Sequence, residues 1–252
     1  MAKIISIANQ KGGVGKTTTT INLSSLLAAA EKRTLLIDID PQANSSSGLS
    51  VTNHTPSVYE VLVGTKNIKD VIINSFMPFL DMLPSNINLV GAEIEMVNMI
   101  SRETLLKKAL ENMTEKFDYI LIDCPPSLGL LTLNALSAAQ KLIIPIQCEY
   151  FALEGLGQLI ETTKLIRGIN PSLTIGGVIL TMYDSRTKLS ENVVKDVKDF
   201  FGDIAFNTIV PRNVRLSEAP SYGKTIFQYD KNSTGAFAYR RLASEFIDRF
   251  EK

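Results

Sequence analysis

A glycine-rich turn near the start of the chain carries residue types that bind phosphate. The segment Asn9–Thr18 reads N-Q-K-G-G-V-G-K-T-T, and the apolar run Ile4–Ala8 precedes it. A helical pattern from Thr18 to Ala30 follows it. Backbone N–H groups of such a turn point at an anion, and the next helix adds the positive end of its dipole. The order of strand, turn and helix therefore predicts a phosphate-binding loop.

Two side chains of this turn are suited to nucleotide chemistry. In a phosphate-binding loop, Lys16 would reach the β- and γ-phosphates and the Thr17 hydroxyl would bind Mg²⁺. The turn departs from the usual G-x-x-x-x-G-K-[ST] pattern, because Gln10 replaces the first glycine and a second lysine, Lys11, follows it. The predicted nucleotide-binding set in this turn is Lys11, Gly12, Gly13, Val14, Gly15, Lys16, Thr17 and Thr18.

Three aspartates stand at the ends of apolar runs that are typical of buried strands. Asp38 ends the run that starts at Thr34, Asp40 lies two residues later, and Asp123 ends the run that starts at Tyr119. Ligands of open parallel sheets bind at the carboxyl ends of strands, so all three can converge on phosphates and metal. Asp123 has the Walker B pattern, which predicts that it holds Mg²⁺ directly or through water, with Asp38 beside it. The alternative is that one or two of them only cap helices.

Apolar runs alternate with helical patterns along the whole chain. Besides the runs already named, the predicted strands are Phe79–Leu83, Lys141–Ile146 and Ser172–Thr181. The predicted helices cover 86–98, 101–115, 153–168, 190–201 and 235–250, with short helices in 56–75 and a loop over Asn44–Ser50. Near-continuous apolar strands that alternate with helices indicate a parallel sheet covered on both faces. We predict an α/β fold of the P-loop NTPase type, with a mostly parallel sheet and helices on both faces, in one domain over residues 1–252.

The composition limits the classes of partner and compartment. Lysine and arginine total 26 and aspartate and glutamate total 26, so any nucleic-acid surface must be a local patch. Cys124 and Cys148 lack metal-type spacing, which is typical of a reduced cytosolic protein. No apolar run approaches the roughly 18 residues of a membrane span. We therefore expect a cytoplasmic protein.

The sequence K-G-G-V-G-K-T-T at Lys11–Thr18 resembles the deviant Walker A signature of the ParA/MinD ATPases. The resemblance implies an enzyme that hydrolyses ATP with Mg²⁺ and forms a nucleotide sandwich homodimer, in which Lys11 crosses to the partner's phosphates. A second cation there would supply the charge stabilisation that an arginine finger gives elsewhere. The D-x-D-P-Q segment at Asp38–Gln42 also matches, which implies that Asp40 orients the attacking water. The expected catalytic residues are thus Lys11, Lys16 and Asp40.

Three later segments resemble the chromosomal ParA/Soj branch of that family. They are Glu149–Leu156, Asp184–Thr187 and Ile209–Pro220. The resemblance implies that Pro211 and Asn213 contact adenine, and that Arg186 and Arg215 bind DNA without sequence preference in the dimer. From residue type alone, a solvated surface role is the default for both arginines. The implied function is chromosome or plasmid partition on the nucleoid, in which ATP drives dimerisation and DNA binding and a ParB-type partner triggers hydrolysis and release.

Other branches of the family are weaker matches. A MinD-like ATPase that associates with membranes needs a basic amphipathic C-terminal helix, whereas Arg240–Lys252 is amphipathic but carries Glu245 and Asp248. We expect this helix to pack on the sheet and expect no stable membrane association. A reductase of the nitrogenase-iron-protein type needs cluster-binding cysteines in a motif that this chain lacks. Because the chain begins at the first strand, we also expect no N-terminal helix-turn-helix of the DNA-repressing plasmid subtype.

Overall fold

A computed structural model describes residues 1–74, 77–149 and 156–251 of the chain. The strands are β1 (Lys3–Ile7), β2 (Thr34–Asp38), β3 (Ile73–Asn74), β4 (Leu80–Leu83), β5 (Tyr119–Asp123), β6 (Lys141–Gln147) and β7 (Thr174–Thr181). The α-helices are α1 (Lys16–Ala29), α2 (Asn44–Gly48), α3 (Val58–Leu62), α4 (Leu89–Met96), α5 (Leu105–Leu110), α6 (Leu130–Ala138), α7 (Leu156–Ile166), α8 (Lys188–Phe201), α9 (Val214–Glu218), α10 (Ile226–Tyr229) and α11 (Thr234–Glu251).

The strands form one sheet in the order β3-β4-β2-β5-β1-β6-β7. In this sheet order, β3 and β4 are antiparallel, and each later pair of neighbouring strands is parallel. The predicted mostly parallel sheet is therefore confirmed. The two-residue strand β3 was not predicted, because so short an edge strand leaves no periodic pattern.

Alternate residues of the central strands pack into different cores on the two faces of the sheet. On β5, Ile120 and Ile122 belong to the core that contains helices α3 to α8, whereas Tyr119 and Leu121 belong to the core beneath α1 and α11. Near-continuous apolar strands arise because both of these faces are buried. Helices on both faces, as predicted, therefore shield the sheet from water.

Helix α11 packs against α1 and the sheet through its apolar side. Tyr239, Leu242 and Phe246 on this helix are fully or almost fully buried, and the Tyr239 hydroxyl lies 3.1 Å from the Thr19 hydroxyl. The prediction that the C-terminal helix packs on the sheet is confirmed. Among the described residues, no helix has both the length and the apolar character needed to cross a membrane.

Several predicted segments differ from the structure in type or in extent. The expected loop over Asn44–Ser50 contains helix α2, which hydrogen bonds from neighbouring segments stabilise. The expected helix over 101–115 is shorter, with a 3₁₀ turn at Arg102–Thr104 before α5. Helix α1 begins at Lys16 rather than Thr18, so its first turn directly continues the glycine-rich segment.

Phe246 is the centre of the aromatic packing that holds α11 on the sheet. Its ring centroid lies 4.6 Å from that of Phe250, 5.7 Å from that of Tyr119 and 6.4 Å from that of Phe206. We expect Phe246→Ala to lower the free energy of unfolding by about 3–5 kcal/mol, because it leaves a cavity among these rings. Urea denaturation measures this change. Phe200→Ala is the control, since Phe200 is exposed and should cost less than about 1 kcal/mol; equal losses would contradict the central role of Phe246.

Candidate functional site

The parallel pairing of β1, β2 and β5 places their carboxyl ends side by side. Ile7 pairs with Asp123, and Asp38 pairs with Asp123 from the other side. The glycine-rich segment leaves β1 at the same edge of the sheet. The phosphate-loop residues and the aspartates that the sequence singled out are thus brought together, as expected for open parallel sheets.

The glycine-rich segment has the backbone conformation of a phosphate-binding loop. Gly13 and Gly15 have φ angles of +73° and +88°, which other residues rarely adopt, and Gly15 is the residue before α1. The Asn9 side chain fixes the entry to the loop: its amide donates to the Pro145 carbonyl at 2.7 Å, and its oxygen accepts from the Lys11 N–H at 3.0 Å. These hydrogen bonds therefore anchor the start of the loop, which leads directly into α1.

Lys16 is a buried cation at the first position of α1. Only 7% of its surface is exposed, and its ammonium group donates to the Lys11 carbonyl oxygen at 3.2 Å. Burial lowers the pKa of Lys16 from its ordinary value, while Asp123 and Asp40 favour the charged form. A cation held in this way inside an anion-binding loop is suited to phosphate oxygens.

Asp38 and Asp123 are both completely buried, with no exposed surface. One Asp123 oxygen accepts from the Ser45 hydroxyl at 2.7 Å, and the other accepts from the Thr20 hydroxyl at 3.3 Å. Asp38 accepts from the Asp40 N–H at 3.1 Å through one oxygen and from Ser46 through the other. Burial raises the pKa of both carboxyls, and the charge of Asp123 adds to the effect at Asp38. Asp123 lies next to Thr17, whereas Asp38 anchors backbone groups of the adjoining loop.

Asp40 lies beside the phosphate loop in a rigid setting. Its backbone N–H is held by Asp38, and its carbonyl oxygen accepts from the Ser85 hydroxyl at 2.7 Å. One carboxylate oxygen accepts from the Gln42 N–H at 2.9 Å. The residue is 6% exposed and lines the cavity above the loop. A carboxylate fixed in this way is suited to orient a water molecule in the cavity.

Three buried serines support the acidic residues, and sequence reasoning missed all of them. Ser46 donates both its N–H and its hydroxyl to Asp38, at 2.8 and 2.7 Å. Its hydroxyl oxygen accepts from the Ser85 N–H at 2.9 Å. Ser45 and Ser46 belong to α2, so this short helix is joined to both buried carboxylates. The cluster of serines after the D-x-D-P-Q segment was the only sequence signal for this role.

A cavity of about 270 Å³ lies over the phosphate loop. Its lining includes Gly12, Gly13, Gly15, Lys16, Thr17, Thr18 and Asp40, all predicted from the sequence, and also Gln42, Asn44, Pro126 and Met182. Val14 is buried and presents its carbonyl oxygen to the Thr181 hydroxyl at 2.8 Å. Lys11 is half-buried at the rim of the loop.

A second cavity, of about 310 Å³, adjoins the first. It contains the predicted adenine contacts Pro211 and Asn213, and it shares Gly15, Thr18 and Met182 with the phosphate cavity. The Asn213 amide donates to the Thr234 hydroxyl at 2.6 Å, and its side-chain oxygen caps the first turn of α9. The two cavities together can accept a ligand with a polyanionic end and a larger, less polar end.

Arg186 and Arg215 lie outside both cavities. Arg186 is 84% exposed and forms a bidentate pair with Asp184, at 2.9 and 2.7 Å. Arg215 is 50% exposed and pairs with Glu218 at 2.8 Å. The motif that includes residues 150–155 falls outside the described residues, so only its ends, Glu149 and Leu156, are placed.

The two cysteines are not among the residues that line either cavity. Cys124 and Cys148 are free and buried, and burial raises the pKa of both thiols. Within the described part of the chain, no group of three or more histidine, cysteine, aspartate or glutamate side chains is arranged to hold a metal ion without other ligands.

The chain is similar to known proteins over nearly its whole length. A family described as an AAA domain matches residues 2–175. The chain is 54% identical to the sporulation initiation inhibitor protein Soj of Bacillus subtilis, with 97% of this chain and 98% of that protein covered. It is 52% identical to the chromosome-partitioning ATPase Soj of Treponema pallidum, with 99% and 98% covered. Its structure is similar to that of cobyrinic acid a,c-diamide synthase from Mycobacterium smegmatis with bound ADP and magnesium, with a TM-score of 0.88, 36% identity, and 100% and 96% covered.

Proposed function

The chain belongs to the ParA/Soj family of chromosome-partitioning ATPases, and on that premise we propose that it hydrolyses ATP with Mg²⁺ to drive DNA segregation. The observation that carries this proposal is the pair of adjoining cavities, one over the glycine-rich loop and one around Pro211 and Asn213. A nucleoside triphosphate has a polyanionic end and a base that match the two cavities in turn. The protein would act in the cytoplasm, on the nucleoid.

The donor set beside the phosphate cavity fits Mg²⁺. Thr17 and Asp123 lie beside each other and offer the oxygen ligands that this hard cation prefers. The Thr17 hydroxyl and, directly or through water, Asp123 would hold the ion, which would neutralise charge on the β- and γ-phosphate oxygens. We retain Asp38 in this set as an outer residue, since its oxygens are committed to Ser46 and Asp40.

Three residues of the chain would carry the catalytic roles. Lys16 would bind the phosphates as a buried cation, where a charge-assisted hydrogen bond is strong. Asp40 would orient the attacking water, because its carboxylate lines the phosphate cavity and its backbone is held on both sides. Lys11 would contribute its charge to the phosphates of a second copy.

A homodimer across the nucleotide is consistent with the open rim of the loop. Gly12 and Gly13 are exposed, and an added Cβ at either residue would meet nothing within 4 Å in the described part of this chain. The backbone of a partner chain can approach closely only at positions that have no side chain, such as these glycines. ATP would thus be shared between two copies, and a ParB-type partner would stimulate its hydrolysis.

DNA binding would follow from dimerisation. The chain has no net charge, so affinity must come from a few cations that the dimer brings together. Arg186 and Arg215 are exposed; Arg186 pairs with Asp184, and Arg215 pairs with Glu218 and Asp230. Phosphates can replace such exposed pairs at little cost, because surface salt bridges contribute little stability. Contacts with phosphates do not distinguish one base sequence from another.

A MinD-like membrane-associated ATPase is the alternative function. It requires the apolar side of the C-terminal helix to enter a bilayer interface. In this chain that side is buried against α1 and the sheet, through residues such as Leu242 and Phe246. Because this side is not available to a bilayer, the packing of α11 argues against the membrane-associated alternative and so favours the DNA-binding proposal.

Asp40→Ala should bind ATP but hydrolyse it at least about 100-fold more slowly, because the group that orients water is lost while the phosphate contacts remain. The ATP-bound dimer should then accumulate. Size-exclusion chromatography with light scattering, together with phosphate release, measures both effects. Asp40→Asn is the matched variant, since it keeps the side-chain shape and removes the charge, and it should behave in the same way. A variant that hydrolyses ATP normally, or stays monomeric with ATP, would remove Asp40 from this role.

Arg186→Glu and Arg215→Glu should each abolish DNA binding and leave ATP binding intact, because each reversal acts twice in a two-fold dimer. DNA retardation with ATP across a salt series tests this. The wild type should show a slope of about −0.9 in log affinity against log salt for each phosphate contact, and little difference between unrelated DNA sequences.

Arg33→Glu is the control for the arginine variants. Arg33 is 54% exposed and pairs with Asp118, much as Arg186 pairs with Asp184, but it precedes β2 at the opposite edge of the sheet from the phosphate loop. This variant should bind DNA like the wild type. If Arg186→Glu and Arg215→Glu also do so, or if one specific DNA sequence is required, the proposed DNA contacts are wrong.

A further inference from the structure

Met182 has a backbone conformation that is unusual for its residue type. It follows the last residue of β7 and has a φ angle of +52°, in the left-handed region that favours glycine. A side chain with a Cβ is strained in this region. Non-glycine residues persist there only when the surrounding structure determines the conformation, and they are concentrated at functional sites.

The residues on both sides of Met182 are fixed. The Thr181 hydroxyl donates to the Val14 carbonyl oxygen of the phosphate loop at 2.8 Å, and the Thr181 carbonyl accepts from the Cys148 N–H at 3.0 Å. The Tyr183 N–H donates to the Val210 carbonyl at 3.1 Å, and the Tyr183 carbonyl accepts from the Arg212 N–H at 2.9 Å. Thr181 is thus tied to the phosphate loop, and Tyr183 to the segment that lines the second cavity. Met182 must turn the chain between these two attachments.

Met182 lies where the two cavities meet. Three residues line both cavities: Gly15, Thr18 and Met182. The first two belong to the phosphate loop and the start of α1, so Met182 is the shared residue that comes from another segment. It is half-buried, so part of the residue is accessible to a ligand.

We propose that Met182 is a positioning residue that holds the sugar of the bound nucleotide and sets the base relative to the phosphates. The inference rests on the proposed ATP binding, because a nucleotide that fills both cavities must pass this residue. A thioether is flexible and polarisable, and it packs well against an irregular, partly apolar surface. On this proposal, contact with the ligand offsets the backbone strain at Met182. A glycine would remove the strain but would leave no side chain where the two cavities meet.

Met182→Gly tests the side chain without disturbing the backbone, because glycine adopts the left-handed conformation freely. Calorimetry with ATP and, separately, with tripolyphosphate measures the two parts of the site, both in the presence of Mg²⁺. We expect ATP affinity to fall about tenfold, the effect of losing one well-packed side chain from a ligand contact. Tripolyphosphate, which fills only the phosphate cavity, should bind within about twofold of its wild-type affinity. Met182→Leu, which restores an apolar side chain of similar size, should recover most of the ATP affinity.

Glu31→Gly is the matched control for the backbone effect. Glu31 also has a positive φ, +60°, but it is exposed after the end of α1 and lines neither cavity. Both glycine variants should keep the thermal midpoint of the wild type or raise it slightly, and Glu31→Gly should leave both affinities unchanged. If Met182→Gly leaves the ATP affinity unchanged, or lowers the affinities for ATP and tripolyphosphate equally, the role of Met182 is wrong but the proposed function is not affected. A wild-type chain that binds no ATP would overturn the proposed function as well.

Discussion

The burial of charge at one edge of the sheet is the constraint on which the rest of the site depends. Lys16 and the carboxylates Asp38, Asp40 and Asp123 are all at most 7% exposed. A buried charge is tolerated only when it is paired or hydrogen-bonded. The parallel register that brings β2 and β5 together therefore also requires α2, whose serines supply hydrogen bonds to both fully buried aspartates. The phosphate-binding edge and its supporting helix are one polar network.

Hydrogen bonds at the same edge also fix the two adjoining cavities relative to each other. Hydrogen bonds run from the phosphate loop through Thr181 to β6, and from Tyr183 to the segment that carries Pro211. The second cavity, around Pro211 and Asn213, is consequently connected to the glycine-rich loop through backbone and hydroxyl groups. A site whose contacts are fixed before the ligand arrives loses little conformational entropy on binding.

Much of this site could be predicted from sequence because its parts lie next to strong local patterns. The apolar runs that end at Asp38 and Asp123 are near-continuous, as buried parallel strands require, and the phosphate loop lies directly after β1. Helix α2 could not be predicted, since Asn, Ser and Gly have low helix propensity and tertiary hydrogen bonds stabilise it instead. Met182 left no signal either, because its left-handed backbone results from attachments far away in the chain. The DNA-binding roles of Arg186 and Arg215 stay predictions, as residue type and exposure suit a solvated arginine equally well.

Control of DNA binding by the nucleotide is the central claim, and co-sedimentation of the purified chain with DNA tests it most directly. The measurement compares ATP, ADP and no nucleotide at the same low salt concentration, with two DNA molecules of unrelated sequence. We expect the chain to sediment with both DNA molecules in ATP and to remain in the supernatant in ADP and without nucleotide. Equal sedimentation in all three states, or none in ATP, would contradict the claim.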